Sequence, residues 1–133
     1  MAALDTNVLV RYLVQDDAAQ LAAAKRLIRK CVSEGQSLFV PISVTVELEW
    51  VLRSTFGFAK GEVVKTLSEL LSAAELSFQD ERAVEVALLL YKKSTADFAD
   101  CMHIALVSQA GEQPLWTFDR KAGKVIGARL MTA

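Results

Sequence analysis

Five acids are the residues of this chain best suited to chemistry: Asp5 in Leu4-Asp5-Thr6-Asn7, Glu47 in Val46-Glu47-Leu48, Asp97 and Asp100 in Ala96-Asp97-Phe98-Ala99-Asp100, and Asp119 in Thr117-Phe118-Asp119. Each stands at the expected end of a strand or the start of a helix. Asp97 and Asp100, three apart on a helix, share a face. Carboxylates gathered in one crevice repel one another and cannot all stay ionised in a dry site without a counter-charge. A hard divalent cation supplies that charge. Oxygen ligands without a histidine or cysteine cluster suit Mg2+ or Mn2+ better than zinc, in an octahedral shell near ~2 Å. Phosphate oxygens would complete such a shell, so the expected chemistry is phosphoryl chemistry.

Each acid also has a plain structural use. Asp5 can cap the helix that follows it, Glu47 can lie on a solvated face beside Glu49, Asp97 can be an N-cap, and Asp119 can pair with Arg120 or Lys121 in a turn. The pair Asp16-Asp17 reads only as a helix start, where the dipole favours negative charge. The joint occurrence at strand ends favours a shared site.

The elements that must position these acids follow from periodicity and punctuation. Ala2-Ala3-Leu4 reads as a short buried strand reaching Asp5, with Thr6 or Asn7 capping a helix whose apolar face is Val8, Leu9, Tyr12 and Leu13. A second helix opens at Asp16-Asp17, carries Leu21, Ala24, Leu27, Ile28, Cys31 and Val32, and stops at Ser33-Glu34-Gly35. Ser37 to Val40 is a strand ended by Pro41, and Ser43 is expected to cap the helix bearing Glu47. Gly57 breaks that helix in an exposed, mobile Phe56-Gly57-Phe58 loop, and a further helix runs from Lys60 through Leu71. Glu75 to Phe78 is a brief strand and Asp80 to Lys93 a long helix. The next helix starts at Asp97, turns Cys101, Ile104, Ala105 and Val107 inward, and closes at Gly111. Pro114 to Phe118 and Ala128 to Met131 are the last strands. This alternation predicts an α/β fold with a parallel sheet covered on both faces by helices, and a ligand crevice beyond the strands' carboxyl ends.

Composition sets the bounds. A chain of 133 residues, 53% hydrophobic, fits a single domain spanning 1–133 and excludes intrinsic disorder. No apolar run is long enough for a membrane span and no leader is visible, so a soluble cytoplasmic protein is expected. Cys31 and Cys101 have no close-spaced partners and read as reduced thiols. A net charge of -1 argues against a simple DNA-binding module and says nothing against a metal-dependent nuclease, whose site is acidic by necessity and whose affinity for nucleic acid would come from a local patch. Arg11, Arg53, Lys92, Lys93, Arg120, Lys121 and Lys124 are the candidates for phosphate contact. His103, the one histidine, stands in an apolar run and is expected in the core or at an interface. Trp50 suits either packing or an interface.

The ordered set Leu4-Asp5-Thr6-Asn7-Val8-Leu9, Ser43 through Glu47-Leu48, Asp97 through Ala105 and Thr117-Phe118-Asp119 resembles PIN-domain proteins, and within them the small VapC-type toxins of toxin–antitoxin systems. The resemblance covers nearly the whole chain. It implies an α/β/α sandwich around a mostly parallel sheet and a Mg2+- or Mn2+-dependent endoribonuclease. It further implies inhibition by a cognate antitoxin and a homodimer, built on or docked at the apolar stretches Leu21 to Ile28 and Val63 to Leu71. Asp5, Glu47 and Asp100 match the three core acids and Asp119 the more variable fourth. Asp97 is an extra acid, either a metal ligand, a second polar support or only the N-cap. Thr6 and Asn7 match polar residues that orient the first carboxylate or the substrate phosphate, and Ser43 and Thr117 stand as supports within the matched segments. With no histidine pair to use the ribose 2′-hydroxyl, the expected products carry a 5′-phosphate and a 3′-hydroxyl.

Three other readings are open. A receiver-like signalling module also gathers acids and magnesium, but it needs an acid after a central strand, where Pro41 stands, and a lysine after a late one, where Asp119 stands. A phosphatase of the haloacid-dehalogenase type needs a second acid two residues after the first, where Asn7 stands. The third is a catalytically silent PIN-fold binding protein.

Overall fold

The computed structural model describes residues 2–133. In chain order the elements are β1 (Ala2–Ala3), α1 (Thr6–Val14), α2 (Ala18–Ser33), β2 (Leu38–Val40), α3 (Ile42–Ser54), α4 (Lys60–Leu71), β3 (Leu76–Phe78), α5 (Glu81–Lys93), α6 (Phe98–Gln109), β4 (Leu115–Thr117), a 3₁₀ turn (Ala122–Lys124) and β5 (Ala128–Leu130). All the strand pairs described are parallel, as an α/β chain with helical crossovers requires. The chain divides between Gln79 and Asp80 into two compact units.

In the first unit the strands lie in the order β1-β2-β3, with Ala3 opposite Phe39 and Phe39 opposite Ser77. The buried Leu4 extends the ladder through its N–H to the Phe39 carbonyl at 2.9 Å, which leaves Asp5 at the carboxyl end of the strand. Leu38 and Val40 are buried while Phe39 is exposed, the alternation that a pleated strand imposes. Around them the core is Leu9 and Val10 of α1, Leu48 and Leu52 of α3, and Val63, Leu67 and Leu70 of α4.

Five local expectations are corrected here. The cap of α1 is Asp5, not Thr6 or Asn7: its backbone is extended and its carboxylate accepts the Thr6 N–H. The helix that follows is turned by about a residue, burying Thr6, Leu9 and Val10 and leaving Val8, Tyr12 and Leu13 half-buried. The cap of α3 is Pro41, not Ser43, because the first N–H of the helix, on Ile42, is taken by the Gln79 side chain at 3.0 Å. Gly57, at φ +70, does break α3, but Phe56 and Phe58 are half-buried and the Phe58 N–H is fixed to the Leu52 carbonyl at 3.0 Å. In α2, Asp17 caps through Gln20 N–H at 3.0 Å, while of the expected apolar face only Ala24 and Cys31 are buried.

In the second unit α5 packs on α6, with Tyr91 edge-on to Phe98 at 5.4 Å between ring centroids. α6 buries Phe98, Cys101, Met102, Ile104 and Ala105, more than a single stripe. β4 pairs with β5, setting Trp116 opposite Arg129 and Thr117 opposite Leu130. The 3₁₀ turn comes so close to β5 that a Cβ on Gly123 would lie 2.9 Å from the Leu130 Cβ, a contact that only glycine avoids.

Candidate functional site

Thr6 organises the acids of the first unit. It is the first residue of α1 and 3% exposed; its N–H donates to Asp5 Oδ1 at 2.8 Å, and its hydroxyl donates a hydrogen bond to Glu47 Oε1. One buried, uncharged residue thereby holds two carboxylates that are otherwise exposed to solvent. Glu47 presents its carboxylate from α3, which packs against α1. Asn7 and Ser43 are exposed in the first turns of α1 and α3.

Glu49, two residues on, is an acid whose burial was not foreseen. It is 2% exposed and ion-paired with Arg53 Nε at 2.8 Å. The i,i+4 spacing was the available signal. Glu49 faces the interior because two residues rotate a helix by ~200° from Glu47.

The second unit holds the other acids. Asp97 occupies the N-cap position of α6, yet its side chain makes no capping hydrogen bond. Asp100, half-buried in the first turn, has its carboxyl raised above the ordinary value: burial is the main cause, Asp119 and Asp97 add like charge, and His103 pulls in the opposite sense. The helix dipole favours a carboxylate in that turn, so burial and repulsion outweigh it. Asp119 follows β4. One of its carboxylate oxygens accepts the Ala122 N–H at 2.9 Å, and its own N–H donates to Thr117 Oγ1 at 3.0 Å. That turn fixes the carboxylate in place without either basic neighbour. His103 is exposed, which removes the core from its two expected placements and leaves the interface: it lies on the outward side of a helix whose other faces are filled.

Among the described residues no three Asp, Glu, His or Cys side chains are grouped closely enough to hold a metal ion as they stand. The donors nevertheless fit a hard cation chemically. They are all carboxylates, and the half-buried Asp100 faces two like charges that a cation would relieve.

Of the candidate phosphate contacts, Arg11 is paired with Asp16 at 2.9 Å and Arg53 with Glu49. Lys92, Lys93, Arg120, Lys121 and Lys124 are exposed. Arg129, not singled out from the sequence, lies over the Trp116 ring at 5.5 Å.

These short parallel strands delivering acids to helix starts are matched by the family model for the PIN domain over residues 2–127, and the chain belongs to that family. It is similar, at 22% identity over 125 residues, to a protein named VapC ribonuclease from Aquifex aeolicus (strain VF5), with 94% of this chain and 92% of that one covered. No helix among the described residues is long and apolar enough to cross a membrane.

Proposed function

We propose that this protein is a cytoplasmic Mg2+- or Mn2+-dependent endoribonuclease and the toxin of a toxin–antitoxin pair. The observation that carries the reading is the presence, in a PIN-family chain, of carboxylates held in place by neutral partners: Asp5 and Glu47 by Thr6, and Asp119 by its own turn beside Asp100. The PIN match runs through both compact units, which supports treating residues 1–133 as one PIN domain.

Asp5, Glu47, Asp100 and Asp119 are the proposed catalytic acids and metal ligands, with Asp97 as a further ligand. The chemistry that bound Mg2+ or Mn2+ supplies is neutralisation of phosphate charge and a lowered pKa for water. Thr6 keeps the Asp5 and Glu47 oxygens from swinging into solvent, Thr117 sets the backbone at Asp119, and Asn7 and Ser43 offer polar contacts to the substrate phosphate. Exposed lysines and arginines bind the RNA backbone. Cleavage leaves a 5′-phosphate and a 3′-hydroxyl.

A groove of about 310 Å³ between α1 and α2, lined by Val8, Ala23, Ala24 and Leu27, supports docking of an amphipathic antitoxin segment. Leu27 and Val32, 37% and 52% exposed on α2, support a homodimer contact.

The test is RNA cleavage with Mg2+, Mn2+ or chelator, comparing the wild type with Asp5→Asn and Asp100→Asn. Equal activity in all three proteins removes the site assignment, and cleavage that persists in chelator and yields cyclic phosphate removes the mechanism. Wild-type protein that binds RNA and never cleaves it is a PIN-fold binding module. Two further outcomes are expected. Mg2+ at about a hundred times its Kd stabilises the wild type by ~2.7 kcal/mol, read as a rise in melting temperature that Asp100→Asn diminishes. Thr6→Val, which keeps shape and removes the proton given to Glu47, lowers kcat about tenfold and changes stability by ~1 kcal/mol, whereas Thr6→Ser keeps both.

A further inference from the structure

We propose that the outward face of β4 and β5 is a base-stacking platform for single-stranded RNA, an inference that rests on the ribonuclease reading and extends it to how the substrate is held. Trp116, in the middle of β4, and Phe118, in the bend directly after that strand, are both open to solvent at 54% and 66% exposure. The Arg129 guanidinium, on the paired position of β5, lies 5.5 Å from the centre of the Trp116 ring. Neither aromatic is used by the core of the unit, which is built from Ala83, Val84, Phe98 and their neighbours.

Charge selects the occupant. The chain as a whole carries a net -1, yet residues 114–133 hold Arg120, Lys121, Lys124 and Arg129 against the single acid Asp119. Two flat apolar rings amid a local basic excess are the features that hold a single strand, its bases on the aromatics and its phosphates on the cations. In a duplex the bases are already stacked on one another and offer no free face. Asp119 lies two residues beyond the end of β4 and directly after Phe118, so a base stacked here brings its own phosphate within a nucleotide's reach of a proposed catalytic acid.

The test uses a mixed-sequence ten-nucleotide RNA in EDTA, so that binding is read without cleavage. In a Trp50→Phe background, Trp116 is the single tryptophan, and its emission should be quenched by the single strand and at least tenfold less effectively by the same decamer annealed to its complement. By anisotropy of a labelled decamer, Trp116→Ala and Phe118→Ala should each weaken binding about tenfold, and Trp116→Phe should keep most of it. Unchanged affinity in both alanine variants overturns the platform. So does Trp116 emission that responds to phosphatidylglycerol vesicles and not to RNA, or a dimer that becomes monomeric in Trp116→Ala with RNA binding intact. Cleavage of the decamer with Mn2+ and no quenching sinks the platform and leaves the nuclease standing. Quenching with no cleavage in Mg2+ or Mn2+ does the reverse.

Discussion

Asp100→Asn is expected to lower RNA cleavage by about a hundredfold or more while making the metal-free protein more stable. The two effects share one cause. In the folded chain burial, Asp119 and Asp97 all oppose the charge on Asp100, so its carboxyl holds a proton above the ordinary 3.8. The folded state then binds more protons than the unfolded one as pH rises from just below that value through the raised one. Stability in chelator therefore falls across that window and stays reduced above it. Asparagine keeps the shape and carries no charge, so the decline flattens and the melting temperature at neutral pH rises. Thermal melts in EDTA between pH 3 and pH 8, run beside cleavage assays, check both. A variant that loses activity and stability together would mean that Asp100 serves the fold.

Phe98→Ala is expected to destabilise the protein by ~3–5 kcal/mol. Phe98 is fully buried at the start of α6, and its ring meets Tyr91 edge-on, so truncation opens a cavity and removes an aromatic contact. That is a large part of the ~5–15 kcal/mol that holds a domain of this size. Urea unfolding of Phe98→Ala and the milder Phe98→Leu should show a graded fall in midpoint. Because Phe98 lies between Asp97 and Asp100, the loss also loosens the turn that presents both. Cleavage by Phe98→Ala should therefore decline with temperature well before cleavage by the wild type.

How much of this was legible in the sequence depends on the range of the interaction. The order of helices and strands could be read because Gly35, Gly57, Gly111, Pro41 and the apolar periodicities act locally. Asp17 as a cap was legible for the same reason. The cap of α3 was not, since the Ile42 N–H is satisfied by Gln79, thirty-seven positions away. The choice between core and interface for His103 was not legible, because an apolar neighbourhood in sequence does not say which face of a nearly buried helix is left over. The acids were identifiable as residue types, but their supports were not. That Thr6 gives one proton to Glu47 depends on how α1 meets α3, and the exposure of Trp116 and Phe118 depends on what fails to cover β4.

The hydroxyl of Thr6 also carries a consequence for the order of events in folding. Its bond to Glu47 closes a separation of 41 residues, so it cannot form while α1 and α3 are merely helical. In a refolding experiment, far-UV ellipticity should recover first. The Asp5–Thr6–Glu47 arrangement should arrive only in the later phase when α3 docks, which makes it a clock for tertiary assembly in this half of the chain.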